Sequence, residues 1–252
     1  MSKHQLSYIL FGLFTLVYVS GFIIYGWSLS YFIWFFIVWF LLIVYGSFII
    51  QTNYHLNAIN RVKTDEKKVA ITFDDGPSSF TEKVLDILEK HRVKATFFCV
   101  GGRIEDNPEV FKSIIEKGHL VGNHTYSHSQ RIGFSRTIIV KTEIDQTDHV
   151  IKSFTGSKPK FYRPPFGVTN PRIARAIKQT GHTVIGWNIR SLDTFIHDEN
   201  KIFNRIVRQV KPGSIILLHD TSERSVNVLE RLLVYLKTQN YQCVTVEELL
   251  KK

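Results

Sequence analysis

The sequence predicts an α/β fold, a mainly parallel sheet or barrel covered by helices, preceded by an N-terminal transmembrane helical hairpin. Two observations carry this prediction. From about Gln51 onward, short β-branched or aromatic runs alternate with segments of helical periodicity, the rhythm of βαβ units. Before that, from Leu6 to Ile50, the chain contains no Asp, Glu, Lys, Arg or His.

A membrane-crossing helix needs about 20 apolar residues. The uncharged stretch is about twice that long and has one polar break at Trp27-Ser28-Leu29-Ser30. Two spans are expected, about 6–26 and 31–50, with a very tight turn between them. A cleaved signal peptide would show a shorter apolar region and a small-residue cleavage site, and neither is evident. The chain therefore divides into a membrane anchor over 1–52, a linker over 53–68 and a body over 69–252. A hairpin places Lys3, Arg61, Lys63, Lys67 and Lys68 on one side, which by the positive-inside rule is the cytoplasm. A single span would put the body outside, so its sidedness stays open.

Formal net charge is +10, and the first 68 residues contribute only five Lys/Arg against two Asp/Glu, so the body itself is basic. Such a surface suits an acidic glycan, a phospholipid bilayer or a lipid-linked phosphosugar, and a merely solvated basic face fits as well. No basic run interleaved with aromatics and no reader motif is present, so nucleic acid is not an expected partner. Cys99 and Cys243 each sit in an apolar run and are expected as buried free thiols.

The body's elements follow in order. Val69–Phe73, Ala95–Val100, His119–Asn123, the run Phe161-Tyr162-Arg163, His182–Trp187, Ser214–Leu218 and Gln242–Val246 read as strands. Helices are expected over Phe80–His91, Pro108–Lys117, Ser135–Phe154, Pro171–Thr180, Lys201–Val210, Val226–Leu236 and Glu247–Leu250. Ser78 or Ser79 is a candidate cap for the first of these. Gly118, Gly156 and Gly181 stand where helices end, and Pro171 opens one.

In parallel α/β folds, chemistry collects at the carboxyl ends of strands. Five such ends carry unusual polar residues. They are Asp74-Asp75-Gly76-Pro77, His124-Thr125-Tyr126-Ser127-His128, Arg163-Pro164-Pro165-Phe166-Gly167, Trp187 to Asp193, and His219-Asp220. Singly each is weak, since Asp-Gly-Pro is ordinary turn chemistry. Together they specify a site. One carboxylate and two imidazoles form a hydrolytic metal site with open positions. His124 and His128 supply the nitrogens, and one of Asp74 and Asp75 supplies the oxygen. Neighbouring side chains on an extended segment point oppositely, so the other aspartate is free to take a proton from the attacking water. His219 is a candidate general acid, with Asp193 holding its ring and raising its pKa by opposite charge. Arg163 could hold the proton-taking carboxylate in place. Asp220 reads as a loop cap. His91, His119 and His182 read as structural or surface residues, and His149 and His197 as solvated ones.

The runs Thr72-Phe73-Asp74-Asp75-Gly76, His124-Thr-Tyr-Ser-His128, Arg163-Pro-Pro-Phe-Gly167 and Leu217-Leu-His219 resemble the successive signatures of the NodB-homology polysaccharide deacetylases, carbohydrate esterase family four. Order and spacing fit across about residues 69–250, and the hairpin lies outside the resemblance. The resemblance implies a distorted (β/α) barrel of about seven parallel strands and a metal triad of Asp75, His124 and His128. It matches Asp74 to the catalytic base, Arg163 to its tether, His219 to the general acid and Asp193 to the residue orienting that acid. Leu217 matches an apolar wall for the acetyl methyl, and the backbone N–H near Tyr126 matches part of the oxyanion stabilisation. Pro165 and Phe166 are taken as substrate contacts. Two positions depart from the pattern: Thr194 stands where the family has tryptophan after the aspartate, and Arg190 occupies a position often acidic.

The expected activity is hydrolysis of N-acetyl groups from amino sugars of a cell-wall glycan such as peptidoglycan, at a bacterial inner or plasma membrane. One divalent ion is implied; zinc is expected from Asp-His-His ligation, with cobalt or nickel acceptable. A deacetylase or deformylase of lipid-linked amino sugars at the membrane face is a second reading, and a non-catalytic glycan-binding homologue a third.

Overall fold

A computed structural model describes residues 2–251. The chain opens with α1 (Lys3–Tyr25) and α2 (Leu29–Phe48). Ser2 caps α1 through a capping box with Gln5, Gly26 closes it in the left-handed conformation, and Ser28 caps α2. Both helices are long and apolar enough to cross a membrane, and both are largely unburied. They pack antiparallel through aromatic rings, with Phe14 on Phe35 and Phe11 on Trp39 at centroid distances of 3.5 and 4.1 Å. Relative to the expected spans the two helices lie one to three residues toward the N-terminus, with Ser2 and Ser28 as their N-caps.

In chain order the body then runs β1 (Ala58–Ile59), β2 (Lys68–Asp74), α3 (Thr81–Lys90), β3 (Thr96–Cys99), α4 (Gly101–Asp106), α5 (Pro108–Glu116), β4 (Leu120–Asn123) and α6 (Thr137–Thr155). It continues with β5 (Phe161–Tyr162), α7 (Pro171–Thr180), β6 (Thr183–Ile185), β7 (Ile189–Arg190), α8 (Glu199–Val207), β8 (Ile215–His219), α9 (Glu223–Thr238), β9 (Gln242–Val244) and α10 (Val246–Leu250). Among the described residues the sheet order is β1-β6-β5-β4-β3-β2-β8-β7, with β9 also on β2, and all of these pairings are parallel. The seven expected strands are all present. The two additional ones, β1 and β7, are two residues each. Part of the expected linker over 53–68 is therefore sheet, and the short α4 was not foreseen.

The sheet must curl. β6 lies near one margin and β7 forms the other, yet only Gly186-Trp187-Asn188 connects them, a reach of roughly 14 Å at most from Ile185 to Ile189. An antiparallel bridge from Arg61 to Ser214 draws the strand-β1 margin toward the start of β8. The result is a distorted, nearly closed parallel barrel.

Alternation along the strands decides which side chains face its interior. Val69, Ile71 and Phe73 pack outward with Val84, Leu85, Leu88, Leu229 and Leu232 of the covering helices. Ala70, Phe98, Ile215 and Leu217 belong to a second cluster with Tyr162 and Trp187. With a period of two, Thr72 and Asp74 follow Ala70 inward, and His219 follows Leu217. Polar side chains thus arrive at one mouth because they end inward-facing rows. The expected serine cap of α3 is not formed. Phe80 is the N-cap residue, and Ser78 Oγ instead accepts the Phe80 N–H.

Candidate functional site

Asp74 is the last residue of β2 and is buried. Its Oδ1 takes a hydrogen bond from the Arg163 guanidinium at 2.7 Å. Arg163 follows β5 and is completely buried. Its other donors reach Thr72 Oγ1 and the carbonyls of Ile185 and Gly186, and its guanidinium lies 4.1 Å from the Phe98 ring centroid. The guanidinium therefore spans the barrel interior, with its charge matched by Asp74 and its N–H groups bound to oxygens.

Strict alternation would turn Asp75 away from the site. Instead the backbone enters the left-handed region at Asp75 (φ 72°), where β2 ends. The carboxylate swings round to the same mouth, with Oδ1 3.4 Å from His124 Nε2 and 3.1 Å from His128 Nε2. The two histidines do not share a helical face. They sit on a loop after β4 whose Thr125 and His128 also take positive φ, and their rings stand 5.0 Å apart. His124 Nδ1–H donates to the Arg163 carbonyl at 2.7 Å, which fixes the ring so that Nε2 faces Asp75. Burial and the neighbouring His124 pull the His128 pKa down to about 4. Burial works to raise the Asp75 pKa, but a hydrogen bond to His124 and the charges of His124, His219 and His128 outweigh it and hold the carboxyl well below the usual range.

One ligand atom from each of Asp75, His124 and His128 lies within 4.8 Å of the other two. One anionic oxygen and two oriented imidazole nitrogens fit a divalent ion with coordination positions to spare. Asp74 Oδ2 lies 3.9 Å from His124 Nε2, beside that point without joining the cluster.

His219 ends β8, the strand beside β2 and in register with Asp74, with Nε2 4.0 Å from Asp75 Oδ2. Its Nδ1–H donates to Asp193 Oδ1 at 2.8 Å, and its backbone N–H donates to Asp193 Oδ2. Asp193 is fully buried and also accepts from the hydroxyls of Ser191 and Ser225. Burial opposes protonation of His219, yet the hydrogen bond and charge of Asp193, with Asp74 and Asp75 behind, raise its pKa to about 9. Leu217 lies buried on the interior row two residues earlier. Phe166 rises at the rim in a left-handed conformation, its ring 4.7 Å from His128, while Pro165 is buried beneath it.

One expectation is corrected. The Tyr126 N–H donates to Glu143 Oε2 at 3.1 Å and its hydroxyl to Glu105, so Tyr126 is occupied within the protein. Glu143 of α6 also takes the Ser127 N–H and hydroxyl, clamping the loop between the histidines. Sequence reasoning missed this residue, and missed Arg103, which donates to the Asp75 carbonyl. Asp220 is fully buried and braces the turn after β2: it accepts from the Thr81 hydroxyl, and its carbonyl accepts from Ser78. Burial pushes its pKa up to about 6. His119 accepts the Ala95 N–H and His182 pairs with Asp148, both structural contacts. Thr194 and Phe195 are exposed, and the latter projects an aromatic ring one residue beyond the missing tryptophan.

Fold and site together define a parallel (β/α) barrel with an Asp-His-His cluster flanked by a tethered aspartate and an aspartate-bound histidine. The polysaccharide deacetylase family model matches residues 61–185. Peptidoglycan-N-acetylglucosamine deacetylase PgdA of Listeria monocytogenes is 36% identical over 192 residues, 76% of this chain and 40% of its own length. The chain thus spans about two-fifths of that relative. Peptidoglycan-N-acetylmuramic acid deacetylase PdaA of Bacillus subtilis is 31% identical, over 74% of this chain and 73% of PdaA. Among solved structures, peptidoglycan deacetylase PdaC from Bacillus subtilis superposes with a TM-score of 0.69 at 32% identity, covering 75% of this chain and 92% of that one. A carbohydrate esterase family four pseudoenzyme from Bacillus anthracis gives 0.72 at 26% identity, covering 77% and 69%. The chain belongs to the polysaccharide deacetylase family. That family is metal-dependent, in keeping with the donor set at the barrel mouth.

Proposed function

We propose that the protein removes N-acetyl groups from amino sugars of a glycan, as its relatives' names describe for N-acetylglucosamine or N-acetylmuramic acid of peptidoglycan. The observation that carries this reading is the convergence of Asp75, His124 and His128 within 4.8 Å, with Asp74 beside them and His219 Nε2 4.0 Å from the Asp75 carboxylate. Those three residues would hold a divalent ion, zinc by its preference for such ligands; when bound, it polarises the acetamide carbonyl and makes water more acidic. Asp74 takes the proton as water adds to the carbonyl carbon, and Arg163 keeps its carboxylate aimed at that water. His219 then gives a proton to the amide nitrogen as the C–N bond breaks, releasing acetate and a free amine. Asp193 keeps His219 charged and correctly turned. Leu217 is placed to receive the acetyl methyl, with Phe166 and Pro165 at the rim. The α1–α2 hairpin anchors this site in a membrane.

A non-catalytic reading has precedent in the pseudoenzyme with the same fold. Acetate release from N-acetylated glycan oligomers by the purified full chain separates the two readings. Asp74→Asn should retain the bound metal, measured by elemental analysis, while turnover falls about 10²–10⁴-fold. Full activity in that variant would refute the role given to Asp74.

A further inference from the structure

A cleft of about 710 Å³ lies between α2 and the catalytic rim. It is within the size range of ligand pockets and lined mostly by apolar side chains. One wall is the last turns of α2, with Ile43, Val44 and Phe48; the facing wall is the body, with Ile132 and Val168. Phe166 and Arg190 also line it, which connects the cleft to the metal-binding mouth through the contact of Phe166 with His128.

Three observations identify an occupant. First, the wall is continuous with a helix fit to cross a bilayer, and that helix is fastened here: Ser47 O accepts the Thr169 N–H at 2.9 Å. At about 1.5 Å per residue, the 20 residues of α2 cover roughly the 30 Å hydrocarbon thickness. Its final turn, and the loop from Phe166 to Thr169 bonded to it, therefore lie at the bilayer surface. Second, the body's exposed large apolar residues gather around this cleft. Phe134 and Phe195, 84% and 70% exposed, line it, and Ile138 and Ile139 follow Phe134. Third, Arg190 makes no ion pair among the described residues, and Arg172 donates to the Phe134 carbonyl at the same edge. Cations beside an apolar cleft at bilayer depth match a phosphate attached to a hydrocarbon chain.

Building on the deacetylase reading, we infer that the substrate is an amino sugar joined through phosphate to a long hydrocarbon carrier. The chain lies in the α2 cleft, the phosphate rests on Arg190, and the sugar reaches past Phe166 to the metal-binding mouth. A site fed from the bilayer favours hydrolysis of glycan still attached to its lipid.

The test uses the full chain in lipid nanodiscs. Acetate release is compared between a free N-acetylglucosamine oligomer and the same sugar carried on a long isoprenyl diphosphate. Wild type should show roughly tenfold or greater kcat/KM for the carried sugar. Val44→Trp, which fills the cleft, and Arg190→Gln should abolish that preference while turnover of the free oligomer is unchanged. Equal kcat/KM for the two substrates in wild type, or a preference that survives Val44→Trp, overturns the inference. A separate measurement uses isoprenyl monophosphate alone as the probe: it should raise the Tm of wild type and not that of Val44→Trp. If that shift occurs but neither substrate releases acetate, the deacetylase reading fails and the lipid site stands. If the probe leaves the wild-type Tm unchanged, the lipid site fails.

Discussion

Two buried charges organise the site, and each can be probed by a single substitution. Arg163 is fully enclosed, and its partners are Asp74, Thr72 and two strand-end carbonyls. Arg163→Met should destabilise the fold by about 3–5 kcal/mol, because Asp74 is left as an uncompensated buried charge. A shift in the guanidinium denaturation midpoint at constant slope measures this. The His219–Asp193 pair sets a pH dependence. Burial disfavours the charged imidazole, but Asp193 raises its pKa to about 9, so the proton donor is charged until pH rises through that value. Asp193→Asn should therefore move the alkaline limb of the kcat/KM profile to lower pH. The stability sign is the same. A raised folded pKa contributes stability that is complete below the unfolded value of about 6.5 and disappears as pH rises through about 9. The stability gap between wild type and Asp193→Asn should accordingly narrow at alkaline pH, which melts across a pH series would record.

Strands carry the ligands inward, and loops give them their final aim. Glu143 takes both the Tyr126 and Ser127 amides, and its loss frees the segment that spaces His124 from His128. Glu143→Ala should weaken zinc binding about 10–100-fold, as outer partners of metal ligands do, with activity recovered at excess zinc; calorimetric titration reads the affinity. Gly46 of α2 matters for a different reason. A Cβ there would stand 2.4–2.6 Å from atoms of the Tyr54 ring, so α2 and the segment after it meet through a missing side chain. These details also mark what the sequence could disclose. β-branched or aromatic runs and terminal glycines were enough for the seven expected strands, and period-two alternation required that Asp74 and Asp75 point oppositely without saying which faces the site. β7 escaped because its two residues, Ile189 and Arg190, lie inside the polar run from Trp187 to Asp193 and carry no period. Asp75 was placed at the metal by the family resemblance alone, because alternation points it outward and only a left-handed residue reverses it. Glu143 lies mid-helix among other charged residues, where nothing in its spacing separates it from a solvated face.

At the level of the whole chain, the hairpin and the barrel are joined where the chemistry is. Besides the bond from Thr169 to Ser47, Gln51 reaches the Trp187 carbonyl and Ser7 meets the Tyr54 hydroxyl. The hairpin therefore holds the rim rather than trailing from a flexible tether. The left-handed residues at the rim carry a cost of their own. Asp75, Thr125, His128, Phe166 and Leu192 all hold positive φ without being glycine. Thr125 is the costliest by type, being β-branched, completely buried and with its hydroxyl unpartnered. Thr125→Gly should raise folding stability by about 1 kcal/mol, seen as a higher Tm, while zinc is held more loosely. The barrel mouth is thus a place where the molecule has given up durability for aim, and its more heat-resistant variants should be its slower ones.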